Sequence, residues 1–142
     1  RPSFLSASRR AFSSKLPSLN DVKSEKEALE FIKVTVESNP LVVFMKGTAD
    51  RPQCGFSRTV IQVLQQFPNL PRPATVDVLS NEQVRSAIKT FSNWPTVPQL
   101  YTKGEFVGGC DIVYEMYKSG TLLKHFQDSG LLSKEEEESK EN

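Results

Sequence analysis

The chain has 142 residues, a formal net charge of +1 and two cysteines. This length fits one domain with its own apolar core, and two cysteines are too few for a disulfide scaffold or a four-ligand structural zinc site. The near-neutral charge argues against nucleic acid as a partner, because phosphate binding requires a clustered basic face. No stretch reaches the ~18 uninterrupted apolar residues that a membrane span requires.

The two ends of the chain differ from the middle in composition. Residues 1–20 contain four basic residues, six serines and no acidic residue, which is typical of an organelle transit peptide. A disordered tail is the alternative for this segment. Residues 133–142 contain five glutamates and two lysines, and we expect a solvated, disordered acidic tail there. The folded domain is therefore expected over residues 21–132.

The first elements of this domain are a helix and a buried strand. Ser24 and Glu27 form a capping box, and the apolar spacing that follows predicts a helix that ends before Pro40. The run LVVFM at residues 41–45 is short and continuously apolar, which is typical of a strand buried on both faces.

A second helix and a second strand come next. Residues 57–67 carry apolar side chains at helical spacing, and Pro68 ends this helix. Residues 74–78 form a strand that we expect to lie parallel to the first, because a single helix connects the two.

The second half of the domain begins with a helix over residues 81–91. Asn81 is its expected N-cap. At helical spacing, Val84, Ile88 and Phe91 share one face, and we expect all three to face the core.

A hairpin and two helices complete the domain. Strands 98–102 and 105–107 flank a two-residue turn. A helix then begins at Asp111, its expected N-cap, and ends at Gly120, its C-cap, before a final helix over residues 121–130. These elements predict an α/β fold with a four-stranded mixed sheet, in which two parallel strands and an antiparallel hairpin are flanked by helices.

The motif CGFS at residues 54–57 carries the chemistry. Cys54 lies where the loop after the first strand becomes a helix, so unpaired backbone N–H groups and the helix dipole favour its thiolate. Lys46 could add a nearby positive charge. A Cys-x-x-Cys redox site would have its second cysteine where this chain has Ser57. The alternative is a small buried apolar side chain at Cys54, but Gly55 beside it indicates close backbone approach.

A second motif is WPTVPQL at residues 94–100. A cis peptide bond between Val97 and Pro98 would turn the Val97 backbone N–H and C=O outward, where an extended peptide could pair with them. An ordinary trans proline at the start of a strand is the alternative, and the sequence leaves both open.

The third motif is GGCD. Gly108 and Gly109 precede a helix start at which the backbone N–H groups of Cys110 and Asp111 could bind an anion. A plain strand-to-helix turn is the alternative. Taken together, the three motifs imply a small anionic peptide that lies across the edge at Val97.

Two further basic residues could complete such a site. Arg85 and Lys89 lie four residues apart on one helix face and could reach a peptide carboxylate together with Lys46. Taken singly, each is more often a solvated surface charge. His125 lies far in sequence from the three motifs, and we expect it to be a surface residue rather than a ligand.

The motifs KGTADRPQCGFS, WPTVPQLY and GGCD together resemble those of the monothiol glutaredoxins of the CGFS type, and the similarity spans residues 23–132. The resemblance implies a thioredoxin-like fold that binds glutathione. It assigns the glycyl carboxylate of glutathione to Lys46, Arg85 and Lys89, the backbone of its cysteine to Val97, and its γ-glutamyl end to Cys110 and Asp111.

The resemblance further implies a 2Fe-2S cluster that is shared between two protomers. Cys54 and one glutathione thiol from each protomer would supply the four thiolates that such a cluster takes. Ser57 forms no internal disulfide, so the Cys54 thiolate would remain available to iron. The implied function is glutathione-dependent cluster binding and transfer, from scaffold and chaperone machinery to recipient apoproteins in the mitochondrial matrix, with a homodimer as the cluster-bound state.

Two other functions stay open. A glutathione-dependent thiol-disulfide oxidoreductase would use Cys54 to remove glutathione from proteins, although the insertion TADRP at residues 48–52 accompanies weak reductase activity in this family. A redox-inert interaction module is the third function. Cys110 could act through its backbone N–H or form a disulfide with Cys54, and Trp94 could pack beside the cluster or fill the core.

Overall fold

The computed structural model describes residues 18–134. The larger parts of the predicted transit peptide and acidic tail, residues 1–17 and 135–142, lie outside the described residues, so both assignments stay predictions. The first described element is a 3-10 helix, Leu19–Asp21. None of the helices within residues 18–134 combines the length and the apolar character that a membrane span needs.

Five α-helices and four β-strands follow within the described part of the chain. The helices are α1 (Glu25–Ser38), α2 (Gly55–Leu64), α3 (Glu82–Ser92), α4 (Cys110–Ser119) and α5 (Thr121–Asp128). The strands are β1 (Leu41–Met45), β2 (Ala74–Asp77), β3 (Gln99–Thr102) and β4 (Glu105–Gly108).

Local sequence signals set several of these helix ends. Ser24 Oγ accepts the Glu27 N–H at 3.1 Å, so Ser24 caps α1 as predicted. The Glu27 carboxylate completes the predicted capping box only in part, because its Oε1 accepts the N–H of Lys23, the residue before the N-cap, at 2.8 Å. Asn81 caps α3 through its side-chain oxygen, as predicted. Gly120 ends α4 with a φ of +86°, a conformation that favours glycine.

The four strands form one mixed sheet in the order β2-β1-β3-β4. β1 pairs in parallel with β2 and antiparallel with β3, and β3 and β4 form the antiparallel hairpin. The predicted fold class is confirmed. The parallel pair brings the carboxyl ends of β1 and β2 to the same edge of the sheet, next to the loop that leads to Cys54.

The core lies on both faces of β1, whose five residues are all buried. Leu41, Val43 and Met45 pack on the face covered by α2, α4 and α5. Val42 and Phe44 pack on the opposite face, which α1 and α3 cover. Burial on both faces explains why this strand is a continuous apolar run rather than an alternating one.

Phe91 is exposed where the helical pattern predicts burial. Val84 and Ile88 are fully buried on the same helix, whereas the Phe91 side chain is 37% exposed. Its ring lies 6.1 Å from that of Tyr101, centroid to centroid, and borders a shallow groove beside Leu29 of α1. The prediction is wrong for Phe91, because its side chain lines this open groove instead of the core between α3 and the sheet.

The helices that carry the two cysteines both begin earlier than predicted. α4 starts at Cys110, and the extended residue Gly109 occupies its N-cap position without a side-chain hydrogen bond. The prediction of Asp111 as N-cap is therefore wrong. Asp111 lies in the first turn, where its negative charge interacts favourably with the positive end of the helix dipole and stabilises the helix. α2 starts at Gly55, with Cys54 in the N-cap position.

Candidate functional site

Cys54 lies at the junction of the loop and helix α2, partly exposed. Burial raises the pKa of the Cys54 thiol, but hydrogen bonds from the Ser57 and Phe56 backbone N–H groups, the charge of Lys46 and the Ser57 hydroxyl outweigh that effect, so the pKa lies below its ordinary value. A thiol with a lowered pKa is a better nucleophile and a better metal ligand at neutral pH.

Ser57 occupies the position that holds the second cysteine in a Cys-x-x-Cys site. The residue is fully buried, and its Oγ accepts the Lys46 N–H at 3.1 Å. Its hydroxyl also forms a hydrogen bond with the Cys54 sulfur. Because a hydroxyl accepts and donates at the same time, Ser57 links the end of β1 to Cys54. It offers no sulfur, so Cys54 has no disulfide partner within the motif.

The loop between Lys46 and Cys54 is closed by its own backbone. Gln53 N–H donates to the Lys46 carbonyl at 2.8 Å, and Thr48 and Arg51 exchange two backbone hydrogen bonds of 3.2 and 3.1 Å. This closure folds the TADRP insertion onto itself. It also brings the Lys46 ammonium near enough for its charge to act on the Cys54 thiolate.

A cleft of about 180 Å³ opens between the start of α2 and the start of α4. One side is formed by Val97 and Pro98, which are joined by a cis peptide bond, and the other by the turn that enters α4. Val97, Cys110 and Asp111, three of the six residues predicted to bind glutathione, line this cleft together. Sequence alone left the cis and trans forms open, and the structure has the cis form.

The three basic residues of the predicted site lie outside the cleft lining. Lys46 acts on Cys54, as described above. Arg85 and Lys89 are exposed on α3, and neither forms an ion pair with another of the residues 18–134. The structure thus groups three predicted residues at one cleft and leaves two on a neighbouring helix surface.

Cys110 differs from Cys54 in its electrostatic surroundings. Burial raises the pKa of its thiol, the negative charge of Asp111 raises it further, and a hydrogen bond with Thr59 offsets only part of the increase. The Cys54 thiolate adds a last unfavourable contribution to ionisation of Cys110. Cys110 is therefore held as a neutral thiol at pH values where Cys54 ionises.

Gln99 holds the turn that carries Val97 in place, a role that no local sequence pattern indicates. Its fully buried side chain donates to the carbonyls of Trp94 and Thr96, at 3.3 and 3.0 Å. The Tyr101 hydroxyl donates to Gln99 Oε1 at 3.2 Å, and burial raises the pKa of Tyr101 to about 12, so this hydroxyl stays protonated.

Trp94 lines the cleft and also packs on the hairpin. Its ring lies 5.7 Å from that of Phe106, and its Nε1 is buried without a hydrogen-bond partner among the described residues. A Cβ at Gly109 would approach this Nε1 to 3.2 Å and the Pro98 carbonyl to 3.3 Å. Gly109 therefore lets the start of α4 approach the turn at Trp94 closely.

Phe56 and Ile112, which sequence reasoning missed, give the cleft an apolar rim. They are 63% and 37% exposed, and both line the cleft. Exposed apolar side chains that border a cleft make it a candidate surface for contact with a ligand or partner. Phe56 offered a sequence signal, because it is an aromatic residue in the first turn after Cys54. Ile112 offered none, because its exposure depends on how α4 packs.

His125 lies away from the cleft. The side chain is half-buried, and its Nε2 lies 2.7 Å from Thr102 Oγ1 of β3. His125 is therefore hydrogen-bonded to the sheet, whereas its place in the sequence predicts a surface residue. Within residues 18–134, no group of three or more His, Cys, Asp or Glu side chains could hold a metal ion.

Known proteins resemble this chain in sequence and in fold. The family model Glutaredoxin matches residues 41–107. The chain is 45% identical over 132 residues to Monothiol glutaredoxin-5, mitochondrial, of Lachancea kluyveri, and the match covers 92% of each chain. The solution structure of a monomeric truncated mutant of Trypanosoma brucei 1-C-Grx1 is 40% identical, with a TM-score of 0.66 over 80% of this chain and 97% of that one.

A crystal structure of a buckwheat glutaredoxin–glutathione complex is 28% identical, with a TM-score of 0.66 over 77% of this chain and 96% of that one. Together with these matches, the four-stranded mixed sheet, the cysteine after β1 and the cis proline before β3 identify the class as a glutaredoxin on a thioredoxin-like fold. With one cysteine in its CGFS motif, the chain belongs to the monothiol glutaredoxins.

Proposed function

We propose that this protein binds a 2Fe-2S cluster together with glutathione and passes it to other proteins. The observation that carries the proposal is the state of Cys54. Its pKa is lowered against the effect of burial, and the position that would supply a disulfide partner holds the buried Ser57 instead. A stable thiolate without an internal partner suits iron, which takes thiolate ligands.

The ligand count supports a cluster shared between protomers. The chain has two cysteines, and the pKa of Cys110 is raised by burial and by the Asp111 charge, so each chain offers one ready thiolate. A 2Fe-2S cluster takes four thiolates. Two copies of Cys54 and two glutathione thiols complete the set in a cluster-bound homodimer. Ligands that are partly small molecules exchange readily, which suits a carrier.

The cleft lined by Phe56 and Cys110 is the proposed glutathione site. Cys54 does not line it, but it lies near enough to Cys110 for its charge to act on that thiol. Helix α4 presents the N–H groups of Cys110 and Asp111 to one side of the cleft, and a helix start favours an anionic group such as the γ-glutamyl carboxylate. Val97 would pair with the backbone of the glutathione cysteine, while Lys46, Arg85 and Lys89 would hold the glycyl carboxylate. The buckwheat relative, which carries glutathione in its complex, supports the same ligand class here.

The proposed location is the mitochondrial matrix. The related Lachancea kluyveri protein is named as mitochondrial, and the basic, serine-rich composition of residues 1–20 fits an import signal. In that compartment the partners would be the scaffold and chaperone machinery that supplies clusters and the apoproteins that receive them. Neither nucleic acid nor a membrane is a proposed partner.

A thiol-disulfide oxidoreductase is the second candidate, and the lowered pKa of Cys54 favours it as well. The Cys54 thiolate would attack the glutathione sulfur of a glutathionylated protein and release the protein thiolate. A second glutathione thiolate would then attack the Cys54–glutathione disulfide, which frees Cys54 and forms oxidised glutathione. Each step exchanges one disulfide for another, so no further oxidant is needed.

The test is anaerobic reconstitution with iron and sulfide, with and without reduced glutathione. We expect visible absorbance, bound iron, acid-labile sulfide and a dimeric mass only when glutathione is present. Cys54→Ser should abolish all four, whereas Cys110→Ser, the matched control, should keep most of the iron.

Two results would count against the carrier. A cluster that forms without glutathione on a monomer would contradict the shared-ligand proposal. Rapid turnover of a glutathionylated peptide by protein that forms no cluster with glutathione would favour the oxidoreductase instead.

A further inference from the structure

Asp77, at the end of β2, reaches across to the strand that precedes the reactive loop. It pairs in register with Met45, the last residue of β1. Its Oδ1 accepts the Gly47 N–H at 2.9 Å and the Leu79 N–H at 2.9 Å. A carboxylate that accepts two backbone N–H groups forms charge-assisted bonds, which are stronger than neutral ones.

Gly47 is the residue through which this carboxylate contacts the loop at residues 46–53. Its φ is +92°, and a Cβ at this position would lie 2.5 Å from the Arg51 carbonyl oxygen and 2.6 Å from the Gln53 nitrogen. The loop therefore packs directly against the Gly47 backbone. Gly47 is buried in the folded chain, and the side chain that accepts its N–H is Asp77.

The same loop sets the spacing between two functional residues. It starts at Lys46, whose carbonyl accepts the Gln53 N–H at 2.8 Å, and it ends where Gln53 joins Cys54. A change in the Gly47 backbone would therefore act on the segment that joins Lys46 to Cys54, beside the link that Ser57 makes between them.

We propose that Asp77 is a positioning residue that holds the loop 46–53 closed through the Gly47 N–H and thereby fixes Lys46 and Cys54 in the arrangement that glutathione requires. The inference rests on the proposed function, because it takes Lys46 and Cys54 as the residues that meet glutathione. Asp77 itself touches neither the cleft nor the sulfur. Its effect is to form the site before the ligand arrives, and a preformed site loses less entropy on binding.

The experiment compares three variants of the full chain. Asp77→Ala removes both hydrogen bonds, Asp77→Asn keeps the Oδ1 acceptor and the shape, and Ser24→Ala removes an N-cap bond at the far end of α1 as a matched control. Two quantities are measured for each: the amide exchange rates of Gly47 and Gln53 by NMR, and the affinity for reduced glutathione by calorimetry.

We expect Asp77→Ala to speed exchange at both amides about tenfold and to weaken glutathione binding about three- to tenfold, since one buried N–H loses its partner. Asp77→Asn should restore both values to within about twofold of the unmodified protein, because its oxygen still accepts the Gly47 N–H. Ser24→Ala should change neither quantity. Unchanged Gln53 exchange in a folded Asp77→Ala protein would overturn the proposal.

A measurement on the unmodified protein covers the case in which Asp77→Ala does not fold. A through-hydrogen-bond NMR coupling between the Gly47 nitrogen and the Asp77 side-chain carbon would support the proposal, and its absence would overturn it. Neither the coupling nor the exchange rates require glutathione. A protein that shows both but binds no glutathione would contradict the proposed function and leave the role of Asp77 in closing the loop intact.

Discussion

Both cysteines of this chain lie at the start of a helix, yet the pKa values of their thiols are shifted in opposite directions. Cys54 occupies the N-cap position of α2 and Cys110 is the first residue of α4, and both are partly buried. Burial raises the pKa of each thiol. The net pKa is nevertheless lowered at Cys54 and raised at Cys110.

The difference arises from the groups that face each sulfur. At Cys54, two backbone N–H groups, the Lys46 charge and the Ser57 hydroxyl act against burial. At Cys110, the nearest charge is the Asp111 carboxylate, which acts in the same direction as burial. A helix start alone therefore does not make a reactive thiol. The donors that point at the sulfur and the sign of the nearest charge decide the outcome.

The largest expected effect comes from removing one sulfur at a time. With oxidised glutathione near neutral pH, Cys54→Ser should form a mixed disulfide with glutathione at least about tenfold more slowly than the unmodified protein. Only Cys110 remains to react, and only a thiolate attacks a disulfide. Cys110→Ser should react at nearly the rate of the unmodified protein. Intact-mass spectrometry over time measures both, and equal losses in the two variants would erase the contrast between the cysteines.

A substitution at Gly47 tests how tightly the loop before Cys54 packs against this residue. Gly47→Ala forces a Cβ to within 2.5 Å of the Arg51 carbonyl at a φ of +92°, so we expect a loss of about 2–4 kcal/mol in the free energy of unfolding. Gly55→Ala is the control, since a Cβ there meets nothing within 4 Å and alanine favours a helix. Urea unfolding compares the two, and similar losses would show that the loop is not tightly packed.

A smaller effect should follow from removing one charge beside Cys54. Lys46→Gln removes a group that favours the thiolate, so the pKa of Cys54 should rise and its alkylation by iodoacetamide at pH 7 should slow about two- to fivefold. Lys33→Gln, a change of the same kind on the exposed surface of α1, should leave the rate unchanged. A rate that Lys46→Gln does not alter would remove this charge from the explanation.

The smallest effect is expected on the Cys110 side. Asp111→Asn removes a negative charge that opposes ionisation, so the pKa of Cys110 should fall and its alkylation rate at pH 8 should increase about twofold. Burial still acts on this thiol, which limits the gain. Peptide mapping reads the two cysteines separately, and a slower reaction at Cys110 would contradict the sign of the Asp111 contribution.

Most of the fold could be predicted from the chain because its signals are local. The capping box at Ser24, the apolar run at residues 41–45 and the C-cap at Gly120 each predicted an element that the structure contains. Phe91 and Asp111 were misjudged for tertiary reasons. For Phe91, the helical pattern does not reveal which inward-facing positions the neighbouring elements cover. For Asp111, the helix begins one residue earlier, at Cys110, so Gly109 takes the N-cap position.

The site was less accessible to sequence reasoning, because its parts meet only in the fold. Residue spacing identified Cys54, Lys46 and the GGCD turn as candidates. It could not reveal that Ser57 accepts the Lys46 N–H, or that Gln99 fastens the turn at Val97. These contacts join different elements, so no local pattern encodes them.

The most direct test of the account is the pH dependence of alkylation at each cysteine, read by peptide mapping of the unmodified protein. We expect the rate for Cys54 to reach half its maximum at a pH below that of an ordinary thiol, since N–H donors and Lys46 favour its thiolate. For Cys110 the midpoint should lie above that of an ordinary thiol. Identical midpoints, or a lower midpoint at Cys110, would contradict the claim that Cys54 is the reactive sulfur.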